Sequence, residues 1–313
     1  MILSKDDTKE SRQDEDAKIH QADNRRFSDV KDLPTTKSIT ISSVLSHVFR
    51  RPYVSVPPDT GLLELGTYLA TGHQIYVDGL IVARDKKLAG RIGGQHILDC
   101  LLKTAYDDWP TVKASELMEE SASSLELDSS LSDLLELFAE TKFALAPITH
   151  KGELIGSIGI RDLLPVVFES NLPTQVTAIG STQILLNRDE TLRTAIDTML
   201  KKRIRNLVLS PNASDSNDKG NYIINDRKIL EFIFSYEGKK VITGGIGTSA
   251  FSDIRVDSLD KISASHVSPT ETISRAANIL RDINTPALLS DDLIITPWDV
   301  VMKTIWKKDS NEN

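Results

Sequence analysis

One cysteine, Cys100, stands in 313 residues, which excludes an internal disulfide and any thiolate metal cluster. It sits in the apolar run ILDCLLKTA and reads as a small core residue, not as a reactive thiol. Long apolar runs are missing too: no window approaches the roughly 18 uninterrupted residues that a membrane-spanning helix requires. The first stretch, MILSKDDTKESRQDED, has neither the basic start nor the apolar centre of a secretion signal, so the expected location is the cytoplasm. Basic charge is in deficit, with 37 Lys and Arg against 45 Asp and Glu and a net charge of −8. That balance repels polyanions and makes nucleic-acid binding a secondary reading, resting on Lys201, Lys202, Arg203, Arg205, Lys239 and Lys240. His20, His47, His73, His96, His150 and His266 share no HxH or HxxxH spacing, so no metal site is expected. No nucleophile elbow, Ser/His/Asp order or paired carboxylate set is legible, and catalysis is not expected.

What is present is a soluble composition, 40% apolar and 26% charged, long enough for two domains with real cores. Residues 1–38 are rich in Asp, Lys, Arg, Ser and Gln with little apolar periodicity, and are expected to form a disordered charged tail, as are residues 308–313. From Ile39 onward one pattern recurs four times. Apolar residues spaced i, i+3, i+4, i+7 mark a helix in each copy: Leu62, Leu65 and Leu69, with a gap at Gly66; Leu131, Leu134, Leu135 and Phe138; Leu192, Ala195, Ile196 and Met199; Ile273, Ala276, Ala277 and Leu280. A short β-leaning segment and a polar turn precede each helix. Two apolar strands and a second apolar helix follow it. The third hairpin carries a polar loop, PNASDSNDKG, expected to be exposed and mobile.

The second helix always begins at an equivalent turn, marked by Gly93, Gly159, Asn225 and Thr296. A 60-residue βαββα unit cannot cover its own sheet and helix faces, so such units are expected to pack in pairs. The last turn, LIITPWDVV at Leu293 to Val301, has the richest chemistry. Thr296 suits an N-cap, Pro297 the first helical position, and Asp299 the third, where a carboxylate meets free N–H groups. This set describes a well-capped helix or half of a phosphorylated-ribose site.

These repeats resemble CBS domains, which usually occur in pairs called Bateman modules. The resemblance rests on PPDTGLLEL at Pro57 to Leu65, GELIGSIGIRDLL at Gly152 to Leu164, and LIITPWDVV, and it runs from Ile39 to about Lys307. It implies an α/β mixed fold of four CBS repeats packed pairwise into two modules. Module 1 spans 39–172, with repeats at about 39–105 and 110–170. Module 2 spans 173–307, with repeats at about 173–237 and 252–307. It further implies a regulatory sensor that binds AMP, ADP, ATP or S-adenosylmethionine in clefts between repeats and signals by conformational change. In that family a Thr or Ser and an Asp three residues later address phosphate and ribose.

Carried over residue by residue, the fourth repeat keeps both groups, Thr296 and Asp299. The second keeps Asp162 but has Gly159 at the hydroxyl position. The first has Gly93 and His96 and the third has Asn225 and Lys228, so neither can hold a ribose diol as a carboxylate does. The resemblance places the adenine slot of the Thr296 site around Ile184, Leu185 and Ile204, with Arg205 and Thr285 near the phosphates. Lys201, Lys202 and Arg203 also fit a solvated helix end. TGGIGTSAF, Thr243 to Phe251, lacks the Lys and helix of a P-loop and reads as a flexible linker. The glycines of AGRIGGQH read as allowing close packing of the first turn. The disc that paired modules often form would be intramolecular or a homodimer. A CBS scaffold with decayed sites, serving a protein partner, is the other alternative.

Overall fold

The computed structural model describes residues 36–46, 48–50, 53–71, 78–120, 123–211, 222–243 and 249–306. The expectations placed on residues 1–35, 212–220, 244–248 and 307–313 fall outside the described residues. Among the described residues eight helices carry the repeated pattern: α1 (Leu62–Thr71), α2 (Gly94–Lys103), α3 (Leu131–Thr141), α4 (Leu164–Glu169), α5 (Leu192–Lys202), α6 (Asp226–Phe234), α7 (Ile273–Leu280) and α8 (Pro297–Val301). The apolar stripes named above on α1, α3, α5 and α7 are all buried. Ser130, Thr191 and Thr272 start three of these helices by accepting the N3 backbone N–H at 3.1, 3.1 and 3.2 Å. That is how an N-cap satisfies an otherwise orphaned donor.

The strands in chain order are β1 (Ser55–Val56), β2 (Leu80–Arg84), β3 (Lys87–Ile92), β4 (Glu119–Glu120), β5 (Leu125–Glu126), β6 (Leu145–His150), β7 (Glu153–Gly159), β8 (Ser181–Thr182), β9 (Leu185–Leu186), β10 (Asn206–Leu209), β11 (Tyr222–Asn225), β12 (Ile262–Ser263), β13 (Ser265–His266), β14 (Leu288–Ser290) and β15 (Leu293–Ile295). Among the described residues they form four small mixed sheets, ordered β1-β2-β3-β4, β5-β6-β7, β12-β11-β10-β9 and β13-β14-β15-β8. Each sheet contains the antiparallel pair of one hairpin, with a parallel strand from the segment before the preceding helix. Each sheet and its two helices are called a unit below.

The segment leading into each unit packs on its neighbour. Ile41 and Leu45 belong to the second unit's core, and Leu131 N donates to Ile39 O. Residues 112–120 join the first unit, where Leu62 N donates to Val112 O and β4 pairs with β3. Residues 174–182 join the fourth, and residues 254–263 join the third. Within each half the sheets meet through small apolar clusters, Ile81 with Leu145 and Leu154, and Val208 and Ile223 with Ala287, Leu289 and Ile294. The two large cores lie between the halves. One joins the helices of the first and third units, the other those of the second and fourth.

Besides these crossings, which the expected repeat bounds near 39, 110, 173 and 252 do not follow, two ends differ from the sequence reading. Residues 36–38, counted with the tail, form a 3-10 turn. The end of the supposed linker is not one: Ala250–Asp253 is a short helix, and Phe251 is fully buried, 6.2 Å from the Trp109 ring. An aromatic side chain in a core outweighs the glycine-rich composition just before it.

Candidate functional site

The four units meet around one cavity of about 1260 Å³. β15 delivers Thr296 to its rim as the N-cap of α8, followed by Pro297, whose missing N–H is no loss at a first helical position. The Thr296 hydroxyl donates to Asp299 Oδ2 at 2.6 Å, Thr296 N donates to the same oxygen at 2.9 Å, and Asp299 N donates back to Thr296 Oγ1 at 3.3 Å. Oδ1 accepts from Ser181 Oγ at 2.8 Å and pairs with Lys303 Nζ at 2.8 Å. Lys303 in turn donates to Ile179 O and Ser181 Oγ, both at 2.8 Å. Asp299 is buried and its capacity of about four acceptor sites is filled.

Ile184, Ile204 and Arg205 line the same cavity as Thr296 and Asp299, with apolar wall added by Leu200, Ile262 and Ile294. Three other sequence-named residues do not line it. Leu185 follows Ile184 on an extended segment, so its side chain points the other way and is 60% exposed. Asp162 is buried, its Oδ2 accepting from Gly159 N at 2.7 Å as the cap of its own turn. Thr285 offers its backbone oxygen to Arg161 Nη2 at 3.0 Å.

Arg205 is already committed to carboxylates. Its Nε donates to Asp226 Oδ2 at 2.8 Å and its Nη1 lies 3.5 Å from Asp78 Oδ1, an oxygen that is also 3.4 Å from Arg227 Nη2. Burial pulls the Arg205 pKa down, but Asp226 and Asp78 outweigh it and the net direction is up. For Arg227 burial prevails over the pull of Asp78 and the direction is down. The close approach depends on glycine: a Cβ on Gly94 would lie 2.4 Å from Asp226 Oδ2, and one on Gly159 2.7 Å from Asp78 Oδ2. This accords with the close-packing reading of the first turn.

At that first turn His96 Nδ1 accepts from Gly93 N at 3.2 Å. Its pKa is lowered, by burial first. Arg91 is fully buried, with Nε on Glu119 Oε2 at 2.7 Å and Nη1 on Leu145 O at 3.0 Å. Sequence reasoning missed Asp78, Ser181, Arg91, Asp226 and Arg227, whose partners are distant in the chain, and Lys303, which pairs with Asp299 one turn away and also holds Ile179 O and Ser181 Oγ. Arg203, read as part of a solvated helix end, is exposed and also borders the cavity. Among the described residues no cluster of His, Cys, Asp or Glu suits a metal ion, and no helix is long and apolar enough to cross a membrane.

Residues 112–169 match the sequence profile of the CBS domain family. Of solved structures, the protein MJ1225 of Methanocaldococcus jannaschii, described as a proposed archaeal homologue of g-AMPK, superposes with a TM-score of 0.71 at 18% identity, covering 83% of this chain and 99% of its own. An uncharacterized conserved protein of Pyrococcus horikoshii gives a TM-score of 0.49 at 12% identity, with coverages of 82% and 96%. A CBS domain-containing protein of Thermotoga maritima gives 0.36 at 21% identity, with coverages of 42% and 95%. No curated protein sequence matches the chain.

Proposed function

We propose, from the premise that this chain is a CBS-domain protein, that it is a non-catalytic regulator binding an adenosine-containing ligand where the third and fourth units meet. Its repeats would form two paired modules, 39–172 and 173–307. One observation carries the reading: Thr296, Asp299, Ile184, Ile204 and Arg205, drawn from two units, line one cavity. Ribose hydroxyls would replace those of Ser181 and Thr296 on Asp299, a near-even exchange of hydrogen bonds, so net affinity comes from burying adenine against Ile184 and Ile204. Phosphates reaching Arg205 would compete with Asp226 and with Asp78 of the other half. That competition links occupancy to the contact between halves, by no more than the ligand's differential affinity for the two states.

Calorimetry with AMP, ADP, ATP and S-adenosylmethionine on the wild type and Asp299→Ala tests the assignment. The substitution removes a cap, costing about 0.5–2 kcal/mol of stability, and weakens binding about ten- to a hundredfold. Equal affinity in a variant shown to be folded would sink the site assignment.

A further inference from the structure

The cleft between the first and second units is occupied by the chain itself. α3 and α5 end alike: Lys142 and Arg203 take left-handed C-cap conformations with φ of 56° and 53°. The next residues, Phe143 and Ile204, therefore hold corresponding positions, and both border the cavity. Ile204 forms a wall. Phe143 fills a slot.

The slot is cut to the ring. Leu80 pairs with Ile92, which sets Gly79 opposite Gly93, and a Cβ on either would lie 3.1 or 3.0 Å from Phe143. In the fourth unit Leu288 pairs with Ile295, which sets Ala287 opposite Thr296. The absence of a hydroxyl-bearing residue at Gly93 is thus matched by a bulky ring from the second unit. On another side of the ring the Arg91 guanidinium lies 4.4 Å from its centroid, and His96 stands 5.7 Å away. Among the described residues Arg91 Nη2 is buried without a hydrogen-bond partner. A phenyl ring can stack on that guanidinium but cannot accept from it. An adenosine ligand can do both, its base stacking on the guanidinium plane and its phosphate or ribose oxygens accepting from Nη2.

We propose that Phe143 is an internal occupant of this cleft, standing where a ligand's base would stack on Arg91, so that the chain takes one adenosine ligand and not two. The count of one rests on the function proposed above; the occlusion by Phe143 does not. Removing the ring opens a slot with a guanidinium at one wall, able to take an adenosine ligand whose base stacks there and whose phosphate or ribose oxygens supply the acceptor that Nη2 lacks.

The test is calorimetry of the full chain with AMP, comparing wild type, Phe143→Ala and Phe143→Ile, the last copying the residue at Ile204. Circular dichroism and melting establish that each variant is folded, and the isoleucine form keeps an apolar filler should the alanine form fail to fold. Stoichiometry is expected to rise from one to two. In an Asp299→Ala background, Phe143→Ile is expected to tighten AMP binding about tenfold or more, a gain that Arg91→Met abolishes. Two equivalents on the wild type, or no added binding on folded Phe143→Ile, would overturn the proposal. A silent wild type with one equivalent on Phe143→Ile would refute the Thr296 and Asp299 site while upholding the occlusion.

Discussion

His96 shows how one residue couples a turn to pH. Its Nδ1 accepts the Gly93 N–H, so protonation there removes a cap bond and places charge in a partly buried position. The folded-state pKa lies below the ordinary 6.5, so the unfolded chain binds the proton more readily. This contribution to stability is full above about pH 6.5 and is lost as pH falls toward the lowered folded value. Urea unfolding at a series of pH values from 8 to 5 is expected to show wild type losing stability faster below about pH 6.5 than His96→Gln. Parallel curves would assign the pH dependence to other groups. The Thr296 and Asp299 pair shows the opposite legibility: its capping geometry follows from residues three apart, but Ser181 and Lys303, which fill Asp299 Oδ1, come to it by strand pairing and a helical turn.

At the scale of elements, the gap at Gly66 in the α1 stripe is where another helix enters. A Cβ there would lie 2.0 Å from the Phe234 ring, so α1 and α6 cross at the one position of the stripe without a side chain. Gly66→Ala gains helix propensity of about 1 kcal/mol but crowds the ring, and overpacking costs about 1–3 kcal/mol. A net loss is expected in chemical denaturation. In a Phe234→Ala background the same change is expected to stabilise, giving a coupling energy of about 0.5–3 kcal/mol in a double-mutant cycle. Additive effects would mean that the helices do not meet at this glycine. Periodicity revealed the stripe and its gap; what fills the gap lies 168 positions away and leaves no local mark.

The whole molecule is held by cores that each draw on both halves. Phe138 of α3 approaches Trp298 of α8 with ring centroids 6.5 Å apart, and Trp109 meets Phe251. The helices of each half cover those of the other within one chain. Expressed separately, residues 39–172 and 173–307 would each expose one side of both cores. Each fragment alone is expected to associate or to bind a hydrophobic dye, whereas co-expressed fragments form a 1:1 complex. Two independently stable, monomeric fragments with native melting transitions would contradict this account of the cores.

The sequence by itself determined the repeating unit, the buried helix faces and the four equivalent strand-to-helix turns, because hydrophobic period and strand length are set by residues within a few positions of one another. It also singled out Thr296 and Asp299, whose mutual capping bonds lie within one turn. Only the tertiary structure decided that lead-in segments cross to the neighbouring unit, that the first unit packs on the third and the second on the fourth, and that Arg205 faces Asp78. It alone set Phe143 on Arg91. Such pairings depend on complementary surfaces assembled from segments more than fifty residues apart, as with Arg91 and Leu145 or Arg227 and Asp78, and no local pattern specifies which surface meets which.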